Sequence, residues 1–225
     1  MKEQKTITLP ESLDDITIRQ LAQYMVANLD TERDAVESAL RIFVGLSIEE
    51  QKRVAKKQLD ELSVDLSKVL NEKPTLKTTF EYNNIEWGFV PNLEEISAGE
   101  YIDAESYMGD WSNMHKAMSV LYRPIVKKGK GWYEIEPYEG SDKYAGMLQD
   151  APASVAVGAL VFFWTIASEL SNAILKHLQE VEMNAGLTPE AYLPSVGVGI
   201  LPSSTWRAET FWYLMKLHDY PLLNS

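Results

Sequence analysis

Glu94, Glu95, Glu100, Asp103, Glu105 and Asp110 fall in one short segment with no basic residue between them. Glu100 and Asp103 stand one helical turn apart, a spacing at which two carboxylates can share a hard cation. With Glu105 they would make the ligand set of a metal-dependent enzyme. Acids also crowd helix N-termini because the free N–H groups and the dipole favour them there. Ser97 and Glu100 have the spacing of a capping box, so the second reading is preferred. His115, His177 and His218 are far apart, with no H-x3-H or H-E-x-x-H spacing, and no zinc site is expected from them. No G-x-S-x-G, Walker loop or G-x-G-x-x-G occurs, and "GVGILP" at 197–202 reads as loop punctuation. The chain has no cysteine, which excludes disulfides, thiolate metal sites and cysteine nucleophiles. The expectation is a protein without enzymatic activity, cofactor or metal.

The formal net charge is −12, a surface that repels nucleic acid and anionic membranes. The basic groups Lys52, Arg53, Lys56, Lys57 and Lys127, Lys128, Lys130 read as a solvated helix face and a turn. The polar start "MKEQKTITLPESLDD" has no apolar h-region, so no secretory signal is expected. Residues 151–168 carry no charge, which is borderline for a membrane span. Many of them are small, and the flanks Asp150 and Glu169 are acidic rather than basic. Beyond Ser168 the polar and apolar positions separate at helical spacing. This predicts one long helix over 152–183, buried in its first half and amphipathic in its second, and no membrane.

Around it the sequence predicts a mainly α fold, α+β with one or two small β-hairpins, as a helical bundle about the long helix. Helices are expected over 17–29, from Asp30 or Thr31 to Leu46, from Ser47 onward, over 97–121 with Pro124 as the stop, and over 205–218. Hairpins are expected at "LKTTFEYNNIEWGF", turning at Asn83–Asn84, and near Trp132, Tyr133 and Ile135. Pro74 divides a helical region, 1–74, from a mixed region, 75–225, within one folded unit. Leu59, Leu62, Leu66 and Val69 alternate by three and four, a short heptad seam suited to a partner helix. The Gly- and Pro-rich stretch 186–205 is the longest irregular segment, and it carries Tyr192, Val196, Val198 and Ile200. These two sets are the candidate partner-binding residues. Aromatics crowd the middle of the chain, from Trp87 to Tyr144, as core or as interface.

The block "EISAGEYIDAESYMGDWSNMHKAMSVLYRPIVKKGKGWYEIEPYEG" has a distinctive order. A Gly-Glu-Tyr-Ile-Asp helix start precedes Met-His-Lys, then Leu-Tyr-Arg-Pro, then a Tyr-x-Ile-x-x-Tyr strand. It leads into the long helix with Phe162–Phe163 and Glu169–Leu170. Over roughly 95–170 the chain resembles morphogenesis proteins of tailed bacteriophages, especially tail-assembly chaperones. None of these motifs is catalytic, and no functional residue is carried over. The resemblance implies a holdase in the host cytoplasm that shields an apolar helical partner, such as a tail or tape-measure protein, with homo-oligomerisation open. The alternative is a virion component: a neck, tail or capsid-associated protein.

Overall fold

The computed structural model describes residues 7–27 and 29–185. Tyr192, Val196, Val198 and Ile200, with the expected helix over 205–218, lie outside the described residues.

The N-terminal helices begin where hydroxyl caps predict. In α1 (Ile18–Met25) Thr17 and Gln20 form a reciprocal capping box, and in α2 (Glu32–Phe43) Thr31 and Asp34 do the same. α2 stops short of Leu46 because Gly45 takes φ +72°, and the Leu46 N–H turns back to the Leu40 carbonyl at 3.1 Å. α3 (Ile48–Gln51) is a single turn capped by Ser47. The buried Gln51 amide ties it down, donating to the carbonyls of Glu37 (3.0 Å) and Leu46 (2.9 Å). The chain then breaks, and α4 (Lys56–Leu70) follows.

β1 (Thr79–Tyr82) and β2 (Ile85–Phe89) form the expected hairpin. Asn83 and Asn84 have φ of 53° and 58°, the left-handed pair of a type I′ turn. α5 (Ala98–Met108) starts on the Ser97/Glu100 capping box. A turn at Trp111–Asn113 separates it from α6 (Met114–Leu121). Pro124 does not stop this helix. α6 has already ended, and Pro124 lies inside β3 (Tyr122–Gly129), opposite Trp87. It is tolerated near the strand's start, beside the irregular register between Ile125 and Lys127. β4 (Trp132–Ile135) closes the second hairpin. The two hairpins join through β2–β3 pairing into one antiparallel sheet of order β1-β2-β3-β4. α7 (Asp142–Leu148) leads into α8 (Ala153–Ala185).

One apolar cluster draws on both sides of Pro74, from Leu13, Leu21 and Leu66 to Trp87, Tyr122 and Leu148. At its centre lies the start of α8, where Ala153, Val155, Ala156, Ala159 and Leu160 are all at most 3% exposed. The N-terminal arm supplies acceptors for its first amides. Ala153 N–H donates to the Ile16 carbonyl (2.7 Å) and Ser154 N–H to that of Leu13 (3.2 Å). The Ser154 hydroxyl donates to Asp14, which also holds Lys77. Burial pushes the Asp14 carboxyl up, but Lys77 and Ser154 outweigh it and hold it below the ordinary aspartate range. Gly158 allows the chain at Thr75 to cross α8 closely: a Cβ there would stand 2.7 Å from the Thr75 carbonyl oxygen.

The long helix is present, and among the described residues its start is the part packed into the core. Its buried part ends at Leu160, residues 161–163 are half-buried, and Trp164 (40%) and Ile166 (41%) are exposed. The expected burial of its whole first half therefore holds only up to Leu160.

Two glycine substitutions should move stability in opposite directions. Gly158→Ala should cost about 1–3 kcal/mol through the clash with Thr75. Gly146→Ala, on the exposed side of α7 with nothing near its Cβ position, should gain about 0.5–1 kcal/mol. Urea unfolding of both variants checks the pair of signs.

Candidate functional site

The heptad seam of α4 is turned inward. Leu66 (0%) and Val69 (5%) are buried, while Leu59 and Leu62 are half-buried against the same core. A three–four apolar spacing shows that a face needs cover. Here the cover comes from this chain, with α2 lying against α4. Leu66 and Val69 are thus closed to a partner helix, while Leu59 and Leu62 are covered in part.

The acidic segment holds structure together. Glu100 is buried, and its Oε2 accepts the Ser97 N–H at 2.7 Å. Its Oε1 lies 2.6 Å from Nη1 of Arg123, a buried residue of β3. That contact is an ion pair by distance, and neither Nη1 nor Nε of Arg123 has a well-formed hydrogen bond. The Tyr138 ring lies 5.6 Å from the guanidinium, and the Tyr138 hydroxyl donates to Asp103. Burial pushes the Glu100 carboxyl up. Ser97 and Arg123 outweigh that and hold it below the ordinary glutamate range. Asp110 caps the turn at 111–113, accepting from Ser112 N–H at 2.8 Å. Among the described residues no three His, Asp or Glu side chains converge as a metal-binding group. Arg123, Glu100, Glu95, Glu136 and Tyr138 line a cleft of about 340 Å³ between the 90–96 turn and β4. Its charged groups largely pair with one another or with neighbouring lysines: Glu134 with Lys127 and Glu136 with Lys143. The cleft's clearest role is to bolt α5 onto the sheet.

Most of the central aromatics are core. Trp87, Trp111 and Tyr122 are fully buried. Their polar tips are used where the packing leaves a carbonyl in reach: Trp87 Nε1 donates to Tyr82 (3.1 Å) and the Tyr122 hydroxyl to Lys77 (2.9 Å). Burial raises the Tyr122 phenol well above its ordinary value, so it stays a donor.

Exposed apolar side chains occur singly on the described body, among them Ile102, Val126 and Trp132, and as a group where α8 emerges from the core. Phe89 of β2 packs on Phe162 and Phe163, with ring centroids 5.8 and 6.1 Å away. Directly after them Trp164, Thr165 and Ile166 all face solvent on successive sides of the helix, and the Thr165 hydroxyl donates to the Val161 carbonyl. Apolar residues recur beyond them in the sequence at Leu170, Ile174, Leu178 and Val181. This was not legible beforehand, because an apolar run reads alike whether its own chain or another covers it. The local signal is three consecutive large aromatics, Phe162–Trp164, in a stretch otherwise built of small and aliphatic residues. No helix among the described residues is long and apolar enough to cross a membrane.

Comparison with protein-family models, with curated proteins and with solved structures finds no match to this chain.

Removing one half of the buried ion pair should be costly. Glu100→Gln keeps a capping residue but strands Arg123, and should lose about 3 kcal/mol at neutral pH in urea unfolding. Adding Arg123→Met should recover most of it. The folded-state pKa of Glu100 lies below its ordinary value of 4.5. Its contribution is therefore complete above that value and lost as pH falls through the lowered one. Glu100→Gln should flatten the dependence of stability on pH in that acid range.

Proposed function

We propose that this chain is a non-enzymatic assembly protein of a tailed bacteriophage, acting like a tail-assembly chaperone on an apolar helical segment of a structural partner. The observation that carries the reading is the emergence of α8 with Trp164 and Ile166 exposed behind a half-buried Phe162–Phe163 pair. A holdase needs apolar side chains presented from a folded body, against which a partner's apolar helix can lie. Large aromatics at such a face supply much of the binding energy, since tryptophan is enriched at interface hot spots. The body behind it is closely fitted where α8 enters, with amides, hydroxyl and Gly158 all matched to neighbours.

The resemblance over 95–170 points the same way, and the quoted block supplies the frame of the site. Gly-Glu-Tyr-Ile-Asp includes Glu100, Leu-Tyr-Arg-Pro includes its partner Arg123, and Tyr-x-Ile-x-x-Tyr ends on Tyr138 beside them. In this reading the protein works in the host cytoplasm during tail building and is not retained in the particle. In this reading Trp164 and Ile166 make the contact.

Affinity capture from the soluble assembly-stage lysate of the native source, with mass spectrometry of purified particles, tests this. A tail or tape-measure protein should be captured, and the chain should be missing from particles. A fixed copy number in particles would make it a virion component instead. Trp164→Lys should abolish capture while changing the stability of the body by less than about 1 kcal/mol, because the side chain sits at its margin.

A further inference from the structure

The cleft of about 340 Å³ beside the Glu100–Arg123 pair lies between the 90–96 turn and the 133–138 stretch. Pro91, Asn92, Glu95, Glu134 and Pro137 on its rim are exposed, so it opens to solvent. Five charged side chains line it: Glu95, Glu100, Arg123, Glu134 and Glu136. Three of the carboxylates are engaged. Glu134 pairs with Lys127 at 2.6 Å and Glu136 with Lys143 at 3.0 Å, while Glu100 holds the Ser97 N–H and Arg123. Glu95 has no ion pair or hydrogen bond among the described residues. Four carboxylates against one guanidinium and two flanking lysines leave the cleft with one negative charge in excess.

Arg123 is the other unmatched group. It is 6% exposed, and a guanidinium carries more N–H donors than one carboxylate oxygen can use. Glu100 lies against Nη1 alone, and neither Nη1 nor Nε makes a hydrogen bond. Nη2 has no acceptor either, and it is the guanidinium nitrogen not shut off from the cleft. A buried donor without an acceptor costs free energy until an oxygen reaches it. A second carboxylate beside Glu100 would add like charge to a cleft already negative, so the fitting acceptor is neutral. Glu95 fits a cation. Apolar cover comes from half-buried Ile96 and Ile135 and from the rings of Tyr133 and Tyr138. Both tyrosine hydroxyls are already used, Tyr133 on the Phe89 carbonyl at 2.8 Å and Tyr138 on Asp103. A neutral carbonyl, an aliphatic stem and a terminal cation answer these three surfaces, and a lysine or arginine within a peptide has that constitution.

We infer that this cleft binds a basic peptide segment. A backbone carbonyl of the segment accepts from the Arg123 guanidinium, and its Lys or Arg side chain lies along the tyrosine rings and reaches Glu95. The net charge of −12 draws basic segments to the whole surface, and the cleft is where one can be held. The inference does not rest on the assembly reading, since none of these residues belongs to α8.

Nuclear magnetic resonance titration of the full chain, with isotope-labelled arginine, tests it. The probe is N-acetyl-lysine methylamide. Its norleucine and glutamate counterparts keep the carbonyls and change only the side chain. The lysine probe should shift the Arg123 guanidinium resonances together with backbone amides of 90–96 and 133–138. The norleucine probe should bind about threefold more weakly, and the glutamate probe should not shift Arg123. Glu95 is exposed and unpaired, so its variants should keep the fold. Glu95→Gln should weaken binding of the lysine probe about threefold and Glu95→Lys about tenfold. No shift at Arg123 from the lysine probe would overturn the site. Equal binding of the three probes would overturn its charge selection, and shifts confined to Glu95 and its neighbours would reduce it to a surface ion pair. Each of these results would leave capture of a partner through Trp164 and Ile166 standing.

Discussion

A helix buried on every side has no polar face to give to water, and the start of α8 is such a helix. From Ala153 to Leu160 it presents small and aliphatic residues all round, so neighbours must approach its backbone closely. Its first amides have no intrahelical acceptors and no water, which obliges another segment to bring carbonyls to them. The arm at Leu13–Ile16 does this, and Asp14 adds a carboxylate at the positive end of the helix. Gly158 removes the one Cβ that would keep the Thr75 segment away. The arm is in turn held by Glu72, whose Oε2 accepts the Leu13 N–H at 3.0 Å, and by Lys77 on Asp14. Parts of the chain distant in sequence are thus fixed by the needs of one short helical section.

The sheet and the α5–α6 layer are joined by a different kind of contact. Glu100 serves three demands at once: the cap of α5, the pair with Arg123 and the acidic end of the cleft. A buried pair of this sort adds little net stability over apolar packing, but it penalises any arrangement that separates its members. Its effect is to set where α5 sits on β3. That placement orients β2, and so Phe89, against Phe162 and Phe163 at the point where α8 leaves the core.

Local chemistry was the readable part of the sequence. Thr17, Thr31, Ser47 and Ser97 announce helix starts because each can satisfy its own amides within four residues. Asn83–Asn84 announces its turn because few residues accept two left-handed conformations in succession. What failed depends on distant partners. Pro124 ends helices by a local rule, but β2 was ready to pair with the segment containing it. The seam at Leu59–Val69 signalled a face to be covered without saying that α2 would cover it. The same ambiguity runs the other way in α8, where Trp164 and Ile166 look like core in the sequence and are exposed in the fold. The Glu100–Arg123 pair joins a helix start to a strand and has no sequence spacing to betray it.

α8 is buried by its own body up to Leu160, and Trp164 and Ile166 beyond it are exposed. The central claim is that a partner binds there. Amide hydrogen exchange followed by mass spectrometry, on the full chain alone and on the complex captured from the assembly-stage lysate, reads the two parts separately. Slow exchange at 153–160 in both samples and protection at 164–166 that rises in the complex is the predicted result. Equal protection at 164–166 in the two samples would contradict it, because no partner would then be covering that surface.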